Sequence, residues 1–225
     1  MKKKLAAVLL FCFVLFALAG CVNFNTQLEN VVSEIHERVL HGRSDAFDVT
    51  VTVGKIEEDF VLDGIKTGLK DFTSFRVQAV GNADGYKELG ISYRYNDQSV
   101  EHDLEKNPKY GVWTLILNSA INTDALDVVI FTDKDNFIVP TEKVDMGNFS
   151  PLDKLKEKFK DELMTTHDGK KFNCEISMRF VKSHGGQGTD DECKFFWFVV
   201  VHTPKRDSFG IMVDAETGKV ISQKK

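Results

Sequence analysis

Proline is scarce in this chain, 4 of 225 residues, which excludes a Pro-rich stalk. A surplus of positive charge is also missing. Against 34 Asp+Glu stand 29 Lys+Arg, for a formal charge of −5, so there is no electrostatic reason to expect a nucleic-acid partner. At 42% hydrophobic, 28% charged and 11% aromatic residues, the composition excludes a disordered, collagenous or polytopic membrane chain. Catalytic signatures are lacking too. The histidines (His36, His41, His102, His167, His184 and His202) form neither His-x-x-x-His nor His-Glu-x-x-His, so no helical zinc site is expected. There is no Gly-x-Ser-x-Gly elbow, phosphate loop or dinucleotide fingerprint. Asp133-Lys134-Asp135-Asn136 begins like a calcium loop but lacks the glycine and distal glutamate of an EF-hand, and reads as a β-turn. The expectation is a protein without catalytic residues, metal or cofactor.

What is present begins at the N-terminus. Met1 to Lys4 form a basic start, and Leu5 to Leu18 an apolar run of roughly 14 residues. That is short for a membrane span and fits the apolar core of a signal peptide. The run ends at Leu18-Ala19-Gly20-Cys21. In all four positions this string resembles the lipobox of bacterial lipoproteins. The resemblance implies diacylglyceryl transfer to the Cys21 thiol and cleavage after Gly20, with sulfur as nucleophile and small residues entering a narrow peptidase pocket. Two acyl chains, at about 0.8 kcal/mol per buried methylene, would hold the protein to a membrane stably. Residues 1–20 are thus expected to be a signal peptide and the mature protein to sit on the cell membrane, facing out of the cytoplasm. Losing three lysines and no acid takes the formal charge from −5 to −8, which favours solubility and opposes adhesion to anionic lipid. Cys12 leaves with the signal and Cys21 is taken by lipid, so only Cys174 and Cys193 remain. Outside the cytoplasm a disulfide between them is the preferred reading, closing a loop of about 20 residues worth roughly 3 kcal/mol. Two buried free thiols are the alternative.

Residues 24–42 read as a helix, because Leu28, Val31, Val32, Ile35 and Val39 recur at three and four. Residues 21–44 are therefore expected to be the anchor followed by an amphipathic helix, with His36 and Glu37 on a solvated face. From residue 45 to 147 the period changes to two: Val49, Val51, Val53; Phe75, Val77, Ala79; Leu89, Ile91, Tyr93, Tyr95. Val112–Leu117 and Leu126–Phe131 are apolar on nearly both sides, as expected of inner strands. With turn signals at Asp63-Gly64, Asp84-Gly85, Asn96-Asp97 and Asn107-Pro108, this stretch predicts an antiparallel β-sandwich. Its strand-turn-strand rhythm looks like that of immunoglobulin or fibronectin-type domains.

Ser150-Pro151-Leu152-Asp153 is a helix start: a capping serine, proline at the first turn and an early carboxylate. Leu152, Leu155, Phe159 and Leu163 mark its buried stripe. A strand from Phe172 to Phe180 follows, then Cys193–His202, apolar on both parities, then Phe209–Val213 and a return at Val220. The string from Phe209-Gly210-Ile211 through Asp214-Ala215-Glu216-Thr217-Gly218 to Ile221, together with the preceding helix and aromatic strand, resembles the PepSY domain over residues 148–225. PepSY modules occur in propeptides of secreted metallopeptidases and in envelope proteins. The resemblance implies a non-enzymatic role restraining an extracellular peptidase or binding another envelope protein.

The fold class expected is thus all-β plus α+β: a sandwich over residues 45–147, then an α-β-β-β unit over 148–225. Between its first two strands lies a Gly-rich, then acidic, loop with His184, Gly185, Gly186, Gln187, Gly188, Asp190 and Asp191 as candidate binding residues. A solute- or glycan-binding lipoprotein with Trp113 or Trp197 at a cleft mouth is a second reading. A cell-wall hydrolase built on paired carboxylates is a third.

Overall fold

The computed structural model describes residues 23–58, 63, 65–81, 85–169, 171–183, 194–205 and 207–225. Two helices lie among them, α1 (Asn23–Glu29) and α2 (Pro151–Thr165). The strands are β1 (Val32–Arg43), β2 (Phe47–Glu57), β3 (Leu69–Ala79), β4 (Gly90–Tyr95), β5 (Gln98–Asp103), β6 (Glu105–Asn107) and β7 (Val112–Leu117). After them come β8 (Ala125–Phe131), β9 (Asn136–Lys143), β10 (Glu175–Lys182), β11 (Phe195–His202), β12 (Ser208–Asp214) and β13 (Val220–Lys224). They join in one branched sheet, antiparallel except where β1 runs parallel to β10.

The branch is at β1. One edge of this strand pairs with β2 along nearly its whole length, from Glu34↔Ile56 to Arg43↔Asp48. Its other edge pairs first with β10, Glu34 opposite Ser177 and Ile35 opposite Met178, and then with β9, Leu40 opposite Lys143. A register shift between His36 and Arg38 marks the crossover; such a bulge sharpens local twist and re-aims the strand. Neighbouring residues then enter different cores: Val39 packs with the C-terminal strands and Leu40 with the sandwich, each 0% exposed.

The helix expected over 24–42 is therefore corrected. Only Asn23–Glu29 is helical, and Val32–Arg43 is a strand. The three-and-four spacing is real, but the run is rich in β-branched Val and Ile, which favour the pleated surface. Open edges on β2, β9 and β10 then decide the outcome.

The sandwich packs β2, β3 and β7 against β9, β8 and β4. Phe47, Val49, Val51, Phe75, Val77 and Trp113 face Ile91, Tyr93, Val128, Ile130 and Val139, the period-two pattern the sequence carries. Asn96 and Asp97 both take positive φ (51° and 62°), closing a two-residue hairpin between β4 and β5, as such turns require. Asp133–Asn136 is a hairpin turn, with the Thr132 hydroxyl accepting from the Lys134 and Asp135 N–H groups. Val112–Leu117 is an inner strand between β3 and β6, yet Ile116 is 67% exposed, so one of its faces is open.

The C-terminal region is helix α2 on a meander of β10–β13. Ser150 caps α2 by accepting from the Asp153 N–H at 3.2 Å, Pro151 opens it, and Leu155, Phe159 and Leu163 are buried. They pack on Ile176, Val199, Val201, Ile211 and Val213 together with Leu28 and Val32. Gly218, at φ 65°, turns β12 into β13. Among the described residues the opposite parity of β11 has no such cover: Phe196 and Val200 are half-buried and Phe198 is 39% exposed. Among the described residues no helix is long and apolar enough to cross a membrane.

Candidate functional site

Two carboxylate clusters line the seam where β1 meets β10. In the first, Glu34 is the hub. The Ser177 hydroxyl donates to its Oε2 at 2.7 Å and the Arg179 Nε at 2.6 Å. The His36 ring lies against the other oxygen, Nε2 3.4 Å from Oε1. The other ring nitrogen, Nδ1, lies 3.0 Å from the Phe180 backbone nitrogen and 3.2 Å from the Phe180 carbonyl oxygen, which seats the ring against β10. Glu34 is only 5% exposed. Burial alone would raise its pKa; the His36 contact, the Arg179 charge and the Ser177 bond outweigh it and hold the group at about 2. His202, opposite Glu175 on the neighbouring strand, has its pKa lowered by burial and by Arg179.

The second cluster centres on Asp48. His41 Nε2 lies 3.3 Å from both its oxygens, and the Lys182 ammonium pairs with Asp48 Oδ2 while standing 3.1 Å from the His41 ring. Burial again opposes ionisation, and the His41 and Lys182 bonds outweigh it, so Asp48 lies below the usual carboxylate range. Arg76, two rungs away on β3, is itself desolvated and attracted by Asp48.

Chemically the two sets are alike: a carboxylate saturated by a cation and a histidine. A nucleophile is activated when its proton is held by a base, but Ser177 gives its proton to a carboxylate already neutralised by Arg179. Such a network fixes the strand junction. Breaking one partner of a buried pair is costly, so the clusters tie β10 to β1 and to β2.

Of the sequence candidates, Cys21, His184–Asp191 and Cys193 lie outside the described residues. Cys174 is described: it is free, 1% exposed, and accepts from the Thr166 hydroxyl at 3.7 Å. Burial pushes its thiol up to about 11, which leaves it protonated and unreactive at neutral pH.

The disulfide expected between Cys174 and Cys193 involves a residue outside the described ones.

Trp113 and Trp197 are 0% and 6% exposed, so neither forms a mouth platform. Trp197 instead donates its indole N–H to the Met146 carbonyl at 2.8 Å. Glu34, Asp48, Ser177, Arg179 and Lys182 were not singled out by the sequence, and His36 was weighed only with Glu37, as part of a solvated face. Reading Val32–Arg43 as a helix placed His36 on a solvated face, whereas strand alternation of Glu34 and His36 would have set them side by side.

Compared with family models, with curated proteins and with solved structures, the chain matches none of them.

Proposed function

We propose that the chain is a lipid-anchored cell-envelope protein with a non-enzymatic binding role, docking an extracellular or envelope protein on its C-terminal sheet. The observation that carries this reading is β11. Its sequence, Phe195-Phe196-Trp197-Phe198-Val199-Val200-Val201, is apolar on both parities, as in a strand covered on two faces. Helix α2 covers one face only. On the other, Phe198 and Met212 lie opposite one another on adjacent strands beside Phe196 and Val200. A contiguous apolar strip of this kind, rimmed by polar groups such as Arg179, is what a protein interface uses.

The kinship of residues 148–225 to PepSY belongs to this proposal. It is supported by the order of α2 and the following strands and by the Asp214–Gly218 turn, and it supplies the target class, a peptidase held by occlusion. The immunoglobulin-like character of the sandwich belongs here too, as a scaffold between anchor and docking face. Anchoring rests on Leu18-Ala19-Gly20-Cys21. The helix α1 starts two residues beyond Cys21, which leaves almost no tether and would hold the folded body close to the bilayer.

The test is capture from the source organism's envelope and secreted fraction with lipid-free residues 22–225, beside the F198S/M212S variant. Enrichment of a peptidase or envelope protein that the variant loses is the expected result. Equal capture by both baits, or nothing above background, would overturn the docking face. Separately, Cys21→Ser should release the protein from the membrane fraction, read by fractionation and by the mass of the N-terminal peptide.

A further inference from the structure

A cavity of about 310 Å³ opens beside α1 and shares no lining residue with the uncovered sheet face. Its described lining brings together Gln27 and Asn30 at the end of α1, Ile65 and Lys66 from the β2–β3 connection, and Lys171 to Cys174 ahead of β10. That lining carries two ammonium groups and no carboxylate, a local reversal in a chain of formal charge −5. We propose that this cavity is a binding site for a small ligand bearing a phosphate group.

Both walls are built. On one side, Glu175 Oε1 accepts from the backbone N–H groups of Asp63 (3.2 Å) and Ile65 (2.7 Å), and Glu57 Oε1 accepts from that of Thr67. These carboxylates are 0% and 1% exposed, so the backbone presenting Lys66 is pinned from beneath. On the other side, Lys171 is fixed through its backbone to Asp168, its N–H donating to Oδ1 at 2.9 Å and its carbonyl accepting from the Asp168 N–H at 3.1 Å. Phe172, 3% exposed, is clamped edge-on between the rings of Phe24 and His167 and makes the apolar floor. His167 Nε2 engages the Gln27 carbonyl oxygen at 2.8 Å, so the amide N–H donors of Gln27 are the end left for a ligand.

Two ammoniums and several amide donors around one concavity match a phosphate group, which at neutral pH carries about two charges and three strong acceptors as a monoester and about one charge and two acceptors as a diester. The volume sits at the lower end of the range for small-molecule sites. Burial lowers the Lys66 pKa and the Glu57 charge offsets this only in part; an arriving anion would supply what is missing. Gln27 lies six residues after Cys21, so at most about 20 Å of chain separates the site from the anchor. If the lipoprotein reading holds, which matters for the source of the phosphate and not for the binding, a phospholipid headgroup is in reach as well as a soluble phosphate ester.

The experiment titrates lipid-free residues 22–225 with inorganic phosphate and with glycerol phosphate, by calorimetry and by amide chemical shifts. Flotation with vesicles of phosphatidylcholine, with and without phosphatidylglycerol, is the lipid arm. Saturable binding that shifts the Lys66 and Asn173 amides, weakens at least about 10-fold in K66Q or K171Q and vanishes in the double variant, is the expected result. K160Q, on the exposed side of α2, should bind as the parent does. Binding of glycerol phosphate without flotation assigns a soluble ester; flotation that needs phosphatidylglycerol and both lysines assigns a headgroup. No binding to any probe at millimolar concentration, or binding that survives K66Q/K171Q, overturns the site. Because the protein used carries no lipid, the result is independent of whether Cys21 is acylated, which the N-terminal mass reads.

Discussion

The sandwich and the C-terminal sheet are made from strands of similar composition, yet they use them differently. In the sandwich the two layers face one another, so Phe75, Val77, Trp113, Val128 and Ile130 share one interior and exposed apolar side chains such as Ile116 and Ile138 stand singly. In the C-terminal sheet one face is filled by α2, α1 and the start of β1, while Phe196, Phe198, Val200 and Met212 form a continuous strip outside. Scattered surface apolar groups are ordinary; contiguous ones indicate contact. The first region encloses its apolar faces within its own layers, and the second leaves one apolar face outside, which is the face the docking proposal uses.

The largest effect that separates the regions should come from cutting them apart. Residues 148–225 alone lack Leu28, Val32 and Val39, which are buried among their strands, and should show no cooperative thermal transition by circular dichroism. A sharp melt from this fragment would mean that the C-terminal core closes without β1. Next, Trp113→Ala should cost about 4 kcal/mol in urea unfolding, because it empties a 0%-exposed site in the closed sandwich. Glu34→Ala at the seam should cost about 2 kcal/mol, since it removes the charged acceptor of the Ser177 and Arg179 hydrogen bonds.

The seam also fixes a pH dependence. Glu34 and Asp48 are both held below their unfolded values. Their stabilisation is therefore fully present above the unfolded carboxylate range, near pH 4 to 5, and is lost as pH falls toward about 2, where Glu34 takes up its proton. Glu34→Gln should flatten the stability curve across that window while leaving its shape near pH 7 unchanged. An unaltered acid limb would remove Glu34 from the account. The smallest effect is expected outside: Phe198→Ser should change stability by no more than about 0.5 kcal/mol. A loss of several kcal/mol would show that Phe198 is covered in the free protein.

The alternating strands of the sandwich and the capped helix α2 were legible in the sequence because each repeats a single period over its length. β1 was not. Its bulge between His36 and Arg38 interrupts the alternation, and its later half is apolar toward both cores, so the residual spacing imitates a helix. The polar clusters were hidden for a related reason. Glu34 meets Ser177 from 143 residues away, and nothing local to either residue announces the other. Cys174 was legible as a core position, because it shares the parity of Phe172, Ile176, Met178 and Phe180, all of them buried in one cluster.

The parallel pairing of β1 with β10 has a temporal consequence. The first strand of the folded body to emerge from a ribosome or a translocation channel is among the last to find its full set of neighbours, because β10 follows almost at the end of the chain. Closing a loop of 143 residues costs on the order of 4 kcal/mol in chain entropy, before any contact between β1 and β10 compensates. While the chain is being extruded, β1 can lean on β2 and β9, with the flank reserved for β10 bare. That interval, rather than the finished fold, is when this protein is most exposed to proteolysis and to mispairing with another copy of itself.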